Sequence, residues 1–99
     1  MKREKFIQTS KNMVKEYFNR YIAIGDIIKT IRKEDIVVFK FYESPENYRV
    51  LLVTPETFGF YYGVTYDKST DKINSYIYEI DNLRTIGRKE ILWFGYYYL

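Results

Sequence analysis

The stretch Phe58-Gly-Phe-Tyr-Tyr-Gly-Val-Thr-Tyr66 decides how the rest of the chain is read. Phe58, Phe60, Tyr62, Val64 and Tyr66 alternate with Gly59, Tyr61, Gly63 and Thr65, the period-two pattern of a β-strand. Large rings on one face and two glycines on the other predict a close cover on the glycine side, best supplied by a helix. Apolar-rich runs on both sides in sequence place this strand centrally in a sheet.

Toward the C-terminus, the polar loop 67–71 leads into a strand over 72–80, and Asp81-Asn82 suits a two-residue hairpin loop. A short strand over 83–86, a turn at 87–89 and a last strand over 90–99 follow. Toward the N-terminus, strands over 36–43 and 48–53 are joined by Ser44-Pro-Glu-Asn47, a type I turn with proline at its second position. Thr54 caps a single helical turn with Pro55 at its first position. Earlier the period changes. Phe6, Ile7, Met13, Val14, Tyr17, Phe18, Tyr21 and Ile24 fall on one helical stripe, so a helix is expected over 2–24 with Gly25 as its stop. Ser10 is the one polar residue in that stripe, and its hydroxyl is placed to bond back to the carbonyl of Phe6. A second, short helix is read over 26–33, with Asp26 as N-cap and Ile27, Ile28 and Ile31 inward, although three isoleucines in eight residues also suit a strand. The sum is a single α+β domain over 1–99, helical over 2–33 and sheet over 36–99. An N-terminal amphipathic helix plus a short helical turn packs on an antiparallel sheet of five or six strands.

Ninety-nine residues with 46% hydrophobic and 29% charged side chains suffice to bury a core without staples. Cys and His are both absent, which excludes disulfides, cysteine nucleophiles, serine–histidine couples and the common zinc constellations. No metal or cofactor site is predicted. No apolar run approaches the ~18 residues of a membrane span, and no signal peptide is visible, so an intracellular protein is expected. Tyr and Ile are abundant against a single Ala, the bias of an AT-rich genome, and a single Gln with many Lys, Glu and Ile fits a hot environment. The net charge of +3 is too small to declare a nucleic-acid binder. Its basicity lies in residues 1–24, where Lys2, Arg3, Lys5, Lys11, Lys15 and Arg20 stand against Glu4 and Glu16.

Four constellations bear on function. Asp67-Lys-Ser-Thr-Asp71 begins like a calcium loop but has Lys72 and Tyr78 where the loop needs Gly and Glu, so a solvated hairpin loop is the better reading. Glu79 and Asp81, with Lys89 or Glu90 approaching, could hold Mg²⁺ for phosphodiester hydrolysis, but their spacing is unspecific and acids next to a hairpin are commonplace. Lys11 and Lys15 lie one helical turn apart, a strip that could follow phosphates or simply face solvent. Trp93-Phe-Gly-Tyr-Tyr-Tyr-Leu99 is apolar or aromatic on both parities. Such a strand needs cover on both faces, which one long and one short helix hardly provide. Trp93, Tyr96, Tyr97 and Tyr98 are therefore read as either a tyrosine-rich core or a protein interface, and the surplus apolar surface favours self-association as a homodimer.

The length, the tyrosine and isoleucine load, the lack of Cys and His, and stretches such as Thr-Pro-Glu-Thr-Phe-Gly-Phe-Tyr-Tyr-Gly resemble the small proteins of Acidianus filamentous viruses. These belong with the lipothrixviruses and rudiviruses of hyperthermophilic archaea. The resemblance is one of overall character and carries over no site residue. It implies a viral α+β accessory protein, hyperthermostable and acid-stable, working in the host cytoplasm. Some small proteins of those viruses inhibit host CRISPR complexes, so the resemblance implies a non-enzymatic role in binding a host or viral protein. The alternative is DNA or RNA binding through the basic helix.

Overall fold

The computed structural model describes residues 1–23, 30–55, 60–81 and 84–91; for 22, 60, 79–81 and 84–91 it describes the backbone alone. Helix α1 spans Arg3–Tyr17. Glu4 in its first turn and Lys15 in its last complement the helix dipole. Phe6, Ser10, Met13 and Val14 are buried at helical spacing, and the Ser10 hydroxyl donates to the Phe6 carbonyl at 2.8 Å, as the sequence predicted. Beyond Tyr17 the helix does not continue in α form. Phe18–Ile22 is a π turn, closed by a 2.9 Å bond from the Ala23 amide to the Phe18 carbonyl. Phe18, four residues after the buried Val14, stays in the core, whereas Tyr21 in the wider turn beyond it is exposed.

The short helix expected over 26–33 is corrected where it can be followed. Thr30, Ile31 and Arg32 are not helical, and only a 3-10 turn at Lys33–Asp35 follows. Two bonds explain the change. The Asn19 side-chain amide donates to the Ile31 carbonyl at 2.9 Å and accepts from the Ile31 amide at 2.8 Å. Both backbone groups of Ile31 are thereby satisfied outside any helix while its side chain enters the core. Gly25, Asp26, Ile27, Ile28 and the proposed turn after Thr54 lie outside the described residues.

Five segments are extended: β1 (Val37–Glu43), β2 (Asn47–Val53), β3 (Phe60–Asp67), β4 (Lys72–Asp81) and β5 (Arg84–Ile91). One N-terminal helix packed on an antiparallel sheet bears out the α+β reading. The sheet whose side chains are described has four strands, β1 to β4, each paired with its sequence neighbour. The expected count of five or six rested on separate strands over 83–86 and 90–99 with a turn at 87–89. The backbone runs without that turn as β5, antiparallel to β4, and residues 92–99 lie outside the described set. Gly87 pairs with Glu79 beside a register shift between Glu79 and Ile80, so this glycine accompanies a bulge and not a chain reversal. Asp81 pairs with Arg84, so Asp81 belongs to β4 and not to the two-residue loop expected at Asp81-Asn82.

The core lies between α1 and one sheet face. Phe6, Met13, Val14 and Phe18 meet Tyr48, Val50, Leu52, Tyr62, Val64 and Tyr66 there, with Val38, Phe41, Ile73 and Ile77 at its margin. The helix therefore covers the ring face of β3 and not the glycine face, which corrects the expected arrangement. What approaches Gly63 from the other side is a tyrosine: a Cβ there would meet Tyr78 Cε2 at 2.6 Å and Leu51 Cδ2 at 3.4 Å. Tyr78 is held in place by stacking on Tyr61, with ring centroids 4.7 Å apart and planes 9° from parallel. No helix among the described residues is long and apolar enough to cross a membrane.

Gly63→Ala should thus force the Tyr61–Tyr78 stack to shift. A loss of about 1–3 kcal/mol, the usual range for overpacking, is expected, with a weakened near-ultraviolet tyrosine signal. Thermal and denaturant unfolding followed by circular dichroism check it; an unchanged melting temperature would show that the stack yields without cost.

Candidate interaction surfaces

The outer face of the sheet is set by a bulge in β1. Strict alternation along Val37-Val-Phe-Lys-Phe-Tyr-Glu43 would send Val38, Lys40 and Tyr42 to one side and Phe39 and Phe41 to the other. With Val38 inward, that would put the Lys40 ammonium under the helix and Phe41 on the outer side. The register instead shifts between Val38 and Lys40. Val38 and Phe41 both reach the core, while Phe39 and Lys40 both stand on the outer side. Phe39 meets the Tyr61 ring edge-on at 5.5 Å, and Lys40 and Arg49 lie over the Tyr42 ring at 6.0 and 5.7 Å. The row Phe39–Tyr61–Tyr78–Tyr76 crosses three strands. Val37, Phe39 and Tyr42 remain 55%, 45% and 45% exposed, and with Tyr21 they are the exposed large hydrophobics among the described residues. No described element packs on this face.

A second surface lies in the helical layer. Asn12, Lys15 and Asn19 on one side and Ile31, Arg32, Lys33 and Glu34 on the other line a cleft of about 450 Å³. Asn19 builds it by clamping Ile31. Arg32 is partly committed, its side chain 3.6 Å from Asp35, whose other oxygen accepts the Arg32 amide at 2.9 Å. Lys15 and Lys33 make no ion pair among the described residues. Lys11, expected to act with Lys15, does not line the cleft. Arg32 and Lys33 are not legible as partners of Lys15 in the sequence, because a helix expected over 26–33 hides the chain path that brings them together.

The β3–β4 loop is a hairpin loop held by its own bonds. One oxygen of Asp67 accepts from the Ser69 amide at 2.8 Å, the Ser69 hydroxyl at 2.7 Å and the Thr70 amide at 3.3 Å. Asp71 takes a left-handed conformation (φ 60°), which aspartate tolerates, and accepts a bond from the Tyr66 hydroxyl. Neither carboxylate is turned toward a shared ion, and no group of three acidic residues fit to hold a metal occurs among the described residues. The side chains of Glu79, Asp81, Lys89 and Glu90, and the whole of Trp93, Tyr96, Tyr97 and Tyr98, lie outside the described set.

The chain is thus an α+β domain with one sheet face sealed by a helix, one aromatic face open among the described residues, and a basic cleft in the helical layer. No family model, no curated protein and no solved structure matches it.

The hydroxyl and amide of Ser69, with those of Thr70, hold the Asp67 carboxyl below its ordinary value. The stabilisation this provides is complete above the unfolded value of about 3.9 and is lost as pH falls through the lowered native value. Asp67→Ala should therefore lower the melting temperature at pH 7 by more than at pH 2. Paired thermal melts at the two pH values measure the difference.

Proposed function

We propose that this protein is non-enzymatic and works by binding another protein through the outer face of its sheet, with a second copy of the chain as its first partner. The observation that carries this reading is the open aromatic surface of Val37, Phe39 and Tyr42 beside the row Tyr61–Tyr78–Tyr76. The exposed part of this face lies along β1, since Leu51 and Tyr78 on the same face are buried. The rings favour protein over nucleic acid. Base stacking needs a free ring face, but Tyr78 is buried, one face of Tyr61 is stacked on it, and the Tyr42 ring lies under Lys40 and Arg49. Hydroxyls, ring edges and two cations are left to meet the partner, the mixed chemistry of a protein interface. Absence of His and Cys from the chain supports the non-enzymatic half of the proposal.

A viral accessory role in a host archaeon, with a defence complex as the later partner, follows from the resemblance in overall character and rests on it alone. Trp93, Tyr96, Tyr97 and Tyr98 remain candidates to extend the same surface. Nucleic-acid binding through Lys11 and Lys15 is the lesser reading, since only Lys15 joins other cations.

Phe39→Glu places a charge in the centre of the open surface without touching the core. Light scattering after size exclusion at ~100 μM should give a dimer for the wild type and a monomer for the variant, with unchanged circular dichroism. A monomeric wild type, or a variant that dimerises as well as the parent, would refute the homodimer.

A further inference from the structure

We infer that the cleft between α1 and residues 31–34 is a binding site for a compact polyphosphate anion, such as a nucleotide's phosphate chain. This is independent of the sheet face, which lies on the far side of the sheet from α1. Three features of the cleft lead to it. Lys15, Arg32 and Lys33 converge on one concavity from two segments of chain, with Glu34 as the one acid in the lining. Two of those cations have no ion-pair partner among the described residues, although the exposed ion pairs of Arg3 and Lys68 with Glu43 show that carboxylates are used elsewhere on this surface. The wall is also fixed in place. The paired bonds from Asn19 to both backbone groups of Ile31 and the Asp35 brace on Arg32 hold the second segment before any ligand arrives. A site whose walls are already ordered loses less entropy on binding.

Size and shape choose the class of anion. About 450 Å³ accommodates a di- or triphosphate group, and lysine and arginine donors suit phosphate oxygens. A nucleic-acid strand would need a track of cations continuing beyond the cleft, and Lys11, one turn back along α1, stays outside it. Asn12 lies in the same wall, one turn before Lys15. Such a site is electrostatic, so its affinity should fall steeply with ionic strength.

The test uses inorganic tripolyphosphate at low salt, followed by two-dimensional amide NMR on the full chain. Saturable shifts are expected at Asn12, Lys15, Asn19 and Arg32 to Glu34, and none along β1. The Lys15→Gln/Lys33→Gln double variant should weaken binding at least tenfold. Glu34→Gln should tighten it roughly two- to fivefold, the scale of one exposed charge pair. Lys5→Gln/Lys72→Gln, at exposed positions outside the cleft, removes the same two charges from the molecule and should leave affinity unchanged. These substitutions are at the surface, and circular dichroism verifies that each variant is folded. Absence of saturable shifts at about 10 mM tripolyphosphate, the weakest useful affinity, would overturn the inference. So would equal weakening by Lys5→Gln/Lys72→Gln, which would mean a diffuse attraction to net charge. A nucleoside triphosphate and a short single-stranded oligonucleotide serve as parallel arms. Nucleotide shifts at the cleft residues assign the phosphate source to a small molecule. Oligonucleotide binding there without tripolyphosphate binding refutes the compact anion.

Discussion

Everything in this domain depends on the contact between Phe6 and a bed of tyrosines. The Phe6 ring lies 5.3 Å from that of Tyr48, 6.3 Å from Tyr66 and 6.4 Å from Phe41, so one side chain ties α1 to β1, β2 and β3. Full burial of a phenylalanine is worth about 1.5–3 kcal/mol, and the adjoining rings add to it. The tyrosines suit this use because their polar ends lie at the margin. Tyr48 donates its hydroxyl to the Met1 carbonyl at 3.2 Å, and Tyr66 donates to Asp71 in the β3–β4 loop. With Tyr48 and Tyr66 the core obtains large apolar area from residues whose hydroxyls still find partners.

One helix cannot seal a sheet on two sides, and the molecule answers that constraint unevenly. The α1 face takes Tyr48, Val50, Leu52, Tyr62, Val64 and Tyr66, all buried. The other face buries Leu51 and Tyr78 against its own neighbours and leaves Val37, Phe39 and Tyr42 to solvent. Cations laid over the Tyr42 ring cover part of that surface without a second layer. The bulge at Phe39 belongs to the same solution. It keeps Lys40 out of the core, and it also interrupts the regularity of an edge strand, which blunts indiscriminate pairing with other chains.

Periodicity made much of this legible in advance. The stripe from Phe6 to Phe18, the Ser10 back-bond, the strand through Tyr62 and the turn at Ser44 all express local rules that survive folding. At that turn the Ser44 hydroxyl accepts from the amides of Glu46 and Asn47. The features that escaped are those where a distant partner overrides the local pattern. Ile31 reads as the inner face of a short helix, but the Asn19 side chain, twelve residues away, satisfies its backbone in another form. Gly63 signals close approach correctly, yet nothing in the strand says that the visitor is Tyr78 and not a helix. The two-residue step at Phe39 and Lys40 is invisible without the pairing to Leu51. Of the candidate binding residues, Lys15 was identifiable from helix geometry, whereas Arg32 and Lys33 join it only through the Asn19 clamp.

The nearest-neighbour order of the sheet has a consequence for how the chain is made. Every strand pairs with the one before it, so each hairpin can close as soon as it is synthesised, at little cost in loop entropy. The helix is the exception. Its apolar stripe is translated first, while the strands that bury it, β2 and β3, end only at Val53 and Asp67. Roughly 45 residues separate the end of the π turn from the end of β3, a wait of about 2–9 s at ordinary elongation rates. During that interval Phe6, Met13, Val14 and Phe18 have no sheet to cover them. Nascent-chain quality control would therefore meet this protein chiefly through its first helix.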